Sequence, residues 1–454
     1  MNKFNQFNVC ALALGAAGWT PAAGADAVTD WNRVAGDAAI AACLSPQFDP
    51  LRESRLYAMT HIAIHDALSA IQRRSQPYAY DALAAAGSSA EAAVAAAARD
   101  VLVAEIARHP FAFAPECAGG GLALVEAEYA AALAVIPDGA ARTAGIAVGQ
   151  AAAAAIIDMR ANDGAGTEFA DFTYLPGTEP GEWRFTSGLP PFALAPGWGS
   201  VTPFALTHSG QFAPHAPYPV SCSADENANK TIGSCRQYAR DLNDVKMYGG
   251  AGDNIRSDDE TEIALFWMES SPLSWNRMGR EATAGFGLDL WDNARLYALL
   301  NMAMADGYVA SLQAKYGFRF WRPETAIREA GSDGNPFTSP DPDWTSLTPT
   351  PPAPDHESAH AVEGAAAAEV FRRVLGTNHV NIASCSLSLP DPTTRCGGLN
   401  EIRRSFSSFS EAARENGRSR VLVGYHFQNA VDEGLKRGRK IGTEVVTNYL
   451  QAVN

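Results

Sequence analysis

Three separated pieces in the second half of the chain gather residue types suited to hold a tetrahedral anion. In Lys315-Tyr-Gly-Phe-Arg-Phe-Trp-Arg322-Pro323 the outer cations stand seven positions apart, nearly two helical turns, and Pro323 marks a break. In Pro354-Asp-His-Glu-Ser358-Ala359-His360 a turn opens onto the apolar stretch Ala359–Leu375. Ser358 therefore stands as an N-cap, with free backbone N–H groups pointing outward as in oxyanion-binding helix termini. Ser419-Arg420-Val-Leu-Val-Gly424-Tyr-His426 supplies a third permanent cation and another imidazole. Taken singly, these are solvated charges, a cap and a satisfied helix histidine. Taken together, Lys315, Arg322 and Arg420 neutralise a trianionic group, with the Ser358 hydroxyl and the Ala359 N–H filling the remaining acceptor positions. His360 and His426 then offer a nucleophile or metal ligand and a general acid–base.

Positioning these pieces falls to helices. Leu51–Arg73, Ser88–Arg108, Gly121–Ile136 and Gly139–Arg160 are rich in Ala, Leu, Val and Ile with turn signals between them, so Trp31 to about Ala161 reads as a helical layer. Asn162 to about Asp253 is rich in Gly, Pro and aromatics and reads as a long irregular segment that shapes a site or wraps the fold. Helices are expected again at Asp258–Ser270, Trp275–Ala284, Asp292–Tyr316, Ala359–Leu375 (stopped by Gly376) and Glu411 to about Leu450, with a Pro-rich loop at Gly331–Asp355. With no alternating strand pattern, the expected fold class is all-α, helical bundles with long irregular loops. The expected organisation is a signal peptide at 1–25, an N-terminal helical region at 26–253 and a catalytic helical bundle at 254–454.

The pattern Lys-x6-Arg-Pro, then Ser-Ala-His, then Ser-Arg-x5-His resembles that of the vanadium haloperoxidase and type 2 phosphatidic acid phosphatase (PAP2) superfamily, in its bacterial secreted haloperoxidase-like branch. Softer similarity covers Trp31-Asn32, Arg55–Ala70, Trp198–Phe204, Trp275-Asn276 and Ala305–Arg322, hence nearly the whole mature chain. The resemblance implies that His426 coordinates vanadium and that Lys315, Arg322, Arg420, Ser358 and the Ala359 N–H hold the oxygens of vanadate, or of phosphate in the same place. His360 then takes a proton from hydrogen peroxide, Lys315 polarises the oxidant, and halide is oxidised to hypohalous acid for small organic acceptors. The metal serves as a Lewis acid without changing oxidation state.

The sequence departs from that pattern at several places. Ala359 replaces a glycine, Ala353 stands where fungal chloroperoxidases carry a phenylalanine, and His356 and Glu357 replace an aromatic and a proline. Bromide or iodide is therefore expected before chloride. Glu269 is placed beside the second arginine in a supporting role. A rival reading uses the same residues for phosphomonoester hydrolysis, His426 forming a phosphohistidine and His360 protonating the leaving alcohol. Non-catalytic storage of an oxyanion is a third, disfavoured because a store needs no acid–base pair.

The 454 residues carry 47% hydrophobic and 19% charged side chains with a net charge of −15, which is a folded composition whose sign repels nucleic acid and anionic membranes. Lys3, the apolar run Val9–Trp19 and Ala23-Gly24-Ala25 have the order of a secretory signal peptide, and no later uninterrupted apolar segment is long enough for a transmembrane anchor. A secreted or periplasmic location is expected, and homo-oligomers are possible from the family's habits. Six cysteines remain after that segment, with 43–117, 222–235 and 385–396 as the preferred pairs among fifteen connectivities. His61, His65 and Asp66 on one helix read as structural polar contacts rather than a metal site. Gly119–Gly121 and Gly249–Gly252 read as turns. The C-terminal cations from Arg403 to Lys440, Arg437 among them, read mostly as a solvated helix face balanced by acids.

Overall fold

A computed structural model describes residues 26–222 and 228–453. The expected signal peptide lies outside the described residues. The N-terminal bundle comprises α1 (Ala27–Ala41), α2 (Pro50–Ile71), α3 (Ala90–Arg108), α4 (Ala118–Ala134) and α5 (Ala140–Met159). Asp26 starts α1 with a reciprocal capping box to Thr29, and Asp49 caps α2 just before Pro50. The bundle is drawn tight by small residues. A side chain on Gly145 or Gly149 of α5 would strike the backbone of α3 at Ser89 or Ala93. Helix α5 is long and apolar enough to cross a bilayer, yet here it lies along α3 with a third of its length buried.

After β1 (Ala170–Asp171) and β2 (Ala193–Leu194), a minimal antiparallel pair, come α6 (Ala228–Tyr248), α7 (Asp258–Phe266), α8 (Ser271–Thr283), α9 (Leu290–Phe318), α10 (Pro323–Arg328) and α11 (Ala359–Val374). Strands β3 (His379–Ser384) and β4 (Arg404–Ser408) form a second antiparallel pair, followed by α12 (Phe409–Leu422) and α13 (Gln428–Asn448). The mostly helical architecture agrees with the sequence reading. Gly376, at φ 70, ends α11 as expected.

Several expectations need correction. Helix α6 occupies part of the segment expected to be irregular, and β3–β4 is a true strand pair. Gly119–Gly121 lies inside α4, where a side chain on Gly121 would strike Ala42 and the Ala38 carbonyl, rather than in a turn. The stretch from Glu411 to Leu450 is two helices. Gly424, at φ 85, breaks it because any side chain there would strike the Gly249 carbonyl and Ser346. The expected disulfides Cys43–Cys117, Cys222–Cys235 and Cys385–Cys396 are all formed, closing sequence separations of 74, 13 and 11.

Two contacts carry the second half. Helix α9 packs on α2 and on α11, so it runs between both bundles. Helix α13 lies against α11 through Gly434, Gly438 and Gly442, each four residues on, where a methyl group would meet the carbonyls of Ser358, Val362 and Ala366. This close approach fixes the N-terminus of α11.

Candidate anion site

Lys315 lies in the last turn of α9, and the chain then reverses through Arg319, which adopts a left-handed conformation at φ 52, to reach Arg322 ahead of α10. The two cations converge because both bind the same stretch of main chain. Lys315 Nζ donates to the carbonyls of Pro354 (3.1 Å) and Asp355 (2.9 Å), and Arg322 Nε donates to that of Ala353 (2.7 Å). Arg420, from α12, donates through Nη2 to the Trp267 carbonyl (2.7 Å) and through Nε to Ser419 Oγ (3.0 Å). The Gly424 turn folds back so that the N–H groups of Tyr425 and His426 donate to the Arg420 carbonyl, setting His426 beside the arginines.

All three cations are buried, at 2–3% exposure, and among the described residues none forms an ion pair. Burial pulls Lys315 well below its ordinary value, with Arg322 adding repulsion, and pulls both arginines down to about 10. The carboxylate facing them is Asp355, itself pushed up to about 7 by burial against the pull of Arg322 and Lys315. Glu357 and Glu363 also draw on Lys315, but Glu357 is taken up by Arg437 and burial favours the uncharged acid of Glu363, so an excess of positive charge remains that an oxyanion would relieve.

Ser358 heads α11, but its hydroxyl caps nothing, contrary to the expected cap. Its Oγ is fully buried and has no partner among the described residues. An orphaned hydroxyl at a helix N-terminus beside unpaired cations fits an oxyanion such as vanadate or phosphate. Ala359 and His360 are partly exposed, so they mark the side from which solvent reaches the site.

The two imidazoles are oriented differently. His426 Nδ1 donates to Asp355 Oδ1 (2.8 Å), which leaves the Nε2 lone pair toward Arg322 Nη1 (3.0 Å). His360 Nε2 lies 3.4 Å from the Glu269 carbonyl, which leaves Nδ1 as the basic atom. Burial together with the neighbouring cations keeps both rings neutral, well below the ordinary histidine range.

Lys315, Arg322, Ser358, Arg420 and His426 are thus brought together from α9, the start of α10, the start of α11, α12 and the turn before α13. Asp355, unassigned at the sequence level although it sits inside the second motif, orients His426 across 71 residues of sequence. Glu269 does not support an arginine of the site. Its carboxylate pairs with Arg277 and accepts from the Leu387 N–H, and only its main chain touches His360. Arg437 is no solvated cation: at 1% exposure it pairs with Glu357 (2.6 Å) and donates to the Ala310 carbonyl. His61 receives a bond from Asn32 and stacks on Tyr57, and His65 binds Asp66 and Ser75, as structural residues do.

Residues 295–454 match the family model of the VCPO second helical-bundle domain. Vanadium chloroperoxidase of Curvularia inaequalis is 27% identical over 285 residues, covering 52% of this chain and 45% of that relative, so the likeness spans less than half of its length. Among solved structures, the first bacterial vanadium-dependent iodoperoxidase superposes with a TM-score of 0.72 at 22% identity, over 96% of this chain and 99% of its own. The holo form of a bacterial vanadium-dependent chloroperoxidase gives 0.68 at 16% identity, over 94% and 98%. Residues 295–454 are thus similar to the VCPO second helical-bundle domain, on a chain that has the fold of the solved vanadium haloperoxidases.

Proposed function

We propose that the protein is a secreted or periplasmic vanadate-dependent haloperoxidase that oxidises bromide or iodide with hydrogen peroxide. The observation that carries this reading is the buried excess of positive charge around the orphaned Ser358 hydroxyl, with His426 presenting a lone pair to the same place. Vanadate held there supplies Lewis-acid activation of hydrogen peroxide toward halide.

The chain's own residues set up that chemistry. Lys315, Arg322 and Arg420 would hold the oxygens of vanadate, with the Ser358 hydroxyl and the Ala359 N–H donating further hydrogen bonds to them. His426 Nε2 would be the ligand atom, held in one tautomer by Asp355. His360 Nδ1 takes a proton from incoming hydrogen peroxide, and the Glu269 carbonyl keeps the ring in that tautomer. The carbonyls of Ala353, Pro354 and Asp355 fix the two cations of α9 and α10 without neutralising them. The small side chain at Ala353, where fungal chloroperoxidases carry a phenylalanine, supports the larger halides over chloride.

The test is a paired assay on one purified preparation: halide-dependent peroxide consumption after orthovanadate loading, and phosphomonoester hydrolysis without vanadate. Peroxidation that requires vanadate and disappears in His426→Ala supports this reading. Hydrolysis that vanadate inhibits, with no halide oxidised, would make the protein a phosphatase that uses His426 as nucleophile.

A further inference from the structure

Arg420 reaches the anion site with one nitrogen nearly uncommitted. Its Nη2 is taken by the Trp267 carbonyl (2.7 Å) and its Nε by Ser419 Oγ (3.0 Å), but among the described residues Nη1 meets only the Met268 sulfur, at 3.9 Å. Thr348 Oγ1 donates toward the same sulfur, also at 3.9 Å, and stands 2.6 Å from the Tyr425 hydroxyl. A thioether is a weak acceptor, so two good donors are turned onto an atom that returns little. Met268 belongs to the short link between α7 and α8, and the main chain on both sides of it touches the site. The Trp267 carbonyl accepts from Arg420 and the Glu269 carbonyl lies against His360.

This sulfur differs from the others in the molecule. Among the described residues all six cysteines are joined in disulfides, which leaves the methionine thioethers as the groups most open to oxidation. Met59, Met278, Met302 and Met304 are sealed at 0–1% exposure, while Met159 and Met247 are the most exposed, at 53% and 46%. Met268 is half-buried, and among the described methionines it alone joins partial access to solvent with contact to a cation of the site.

Resting on the haloperoxidase reading, we propose that Met268 is a modification site: hypohalous acid formed at the anion site oxidises its thioether to the sulfoxide, whose oxygen then competes with the bound oxyanion for Arg420 Nη1. A sulfur lone pair attacks the halogen, the halogen–oxygen bond breaks, and water displaces halide from sulfur. The sum is one thioether and one hypohalous acid giving one sulfoxide, one halide ion and one proton, with two electrons passing from sulfur to halogen. The S–O dipole replaces a weak acceptor with a strong one in reach of both Nη1 and Thr348 Oγ1. Turnover thus weakens the hold on the anion through one atom, without breaking the fold around it.

The experiment follows the full vanadate-loaded protein through limited turnover with peroxide and bromide, and reads each methionine by peptide mass spectrometry. Met268 sulfoxide is expected to accumulate before oxidation of the more exposed Met159 and Met247. Free methionine in the buffer, which destroys hypohalous acid in solution, protects Met159 and Met247 but not Met268. After vanadate is removed, the oxidised wild type binds inorganic phosphate about tenfold or more weakly than the untreated protein, as expected for a lost hydrogen bond from a charged donor. Met268→Leu, which preserves the apolar volume, keeps its phosphate affinity through the same turnovers. Oxidation of Met159 and Met247 with Met268 intact, equal protection of all three by free methionine, or an unchanged phosphate affinity once Met268 is oxidised overturns the proposal and leaves the functional reading in place. A wild type that binds vanadate yet oxidises no halide overturns the functional reading and the modification with it.

Discussion

Both bundles bury charge, but they balance it differently. In the N-terminal bundle Arg55 is held by Glu105 and by Asp163 (3.0 Å), and Asp163 is shared with Arg160 (2.9 Å). Asp66 there accepts from His65 and from the N–H groups of Tyr78, Ala79 and Tyr80. Around Lys315, Arg322 and Arg420 the donors are met mainly by neutral carbonyls, and no carboxylate among the described residues forms an ion pair with them, Glu357 nearby being taken up by Arg437. Buried charge alone is therefore a poor guide to a site in this protein. What distinguishes the second region is the imbalance, kept in place by a tightly packed scaffold.

The largest effect that would break this comparison comes from Arg55→Met. It leaves Glu105 uncompensated, and urea denaturation should show a loss of about 3–5 kcal/mol. Orthovanadate or phosphate at about a hundred times its Kd should stabilise the wild type by about 2.7 kcal/mol, seen as a raised melting temperature. Failure of either anion to do so would remove the case for an anion site. Arg420→Met should do the opposite of Arg55→Met in the ligand-free protein, raising stability by about 1–3 kcal/mol through removal of an unpaired buried charge while weakening anion binding. A destabilised Arg420→Met would show that the cations of the two regions do the same job.

The smallest effect sharpens the picture on the N-terminal side. Burial, with Arg280 nearby, lowers His61 from 6.5 to about 3, so the folded state keeps it neutral where the unfolded state gains a proton. Its contribution is fully present above pH 6.5 and is lost as the pH falls toward 3, at about 1.4 kcal/mol per unit. Comparing urea midpoints between about pH 6.5 and pH 5 should show this slope flattened in His61→Gln, whose amide cannot titrate.

How much of this could be read in the sequence depended on whether the signal was local. Helices α2, α3, α5 and α9 were visible because Ala, Leu and Val recur at helical spacing, and the anion motifs because each is a short run. Helix α6 was missed because its sequence from Ala228 is dominated by polar and charged residues, and β3–β4 because its strands are short and rich in Ser, Asn and Arg. Pairings between distant segments left no local trace. Asp355 and Glu357 looked like loop acids and Arg437 like a surface base until folding joined Asp355 to His426 and Glu357 to Arg437 across 80 residues. The Glu269 carboxylate was misassigned although its partner is near in sequence, since Arg277 on the following helix turns it away from the site.

Helix α9 has a further consequence for how the protein comes apart. Its 29 residues contact α2 in one bundle and α11 in the other, and its last turn carries Lys315. An element common to two cores cannot melt in one and persist in the other. Amide protons of α2 and α11 should therefore exchange through the same global opening, and a weakened contact in the first bundle should shorten the lifetime of the anion site some distance away.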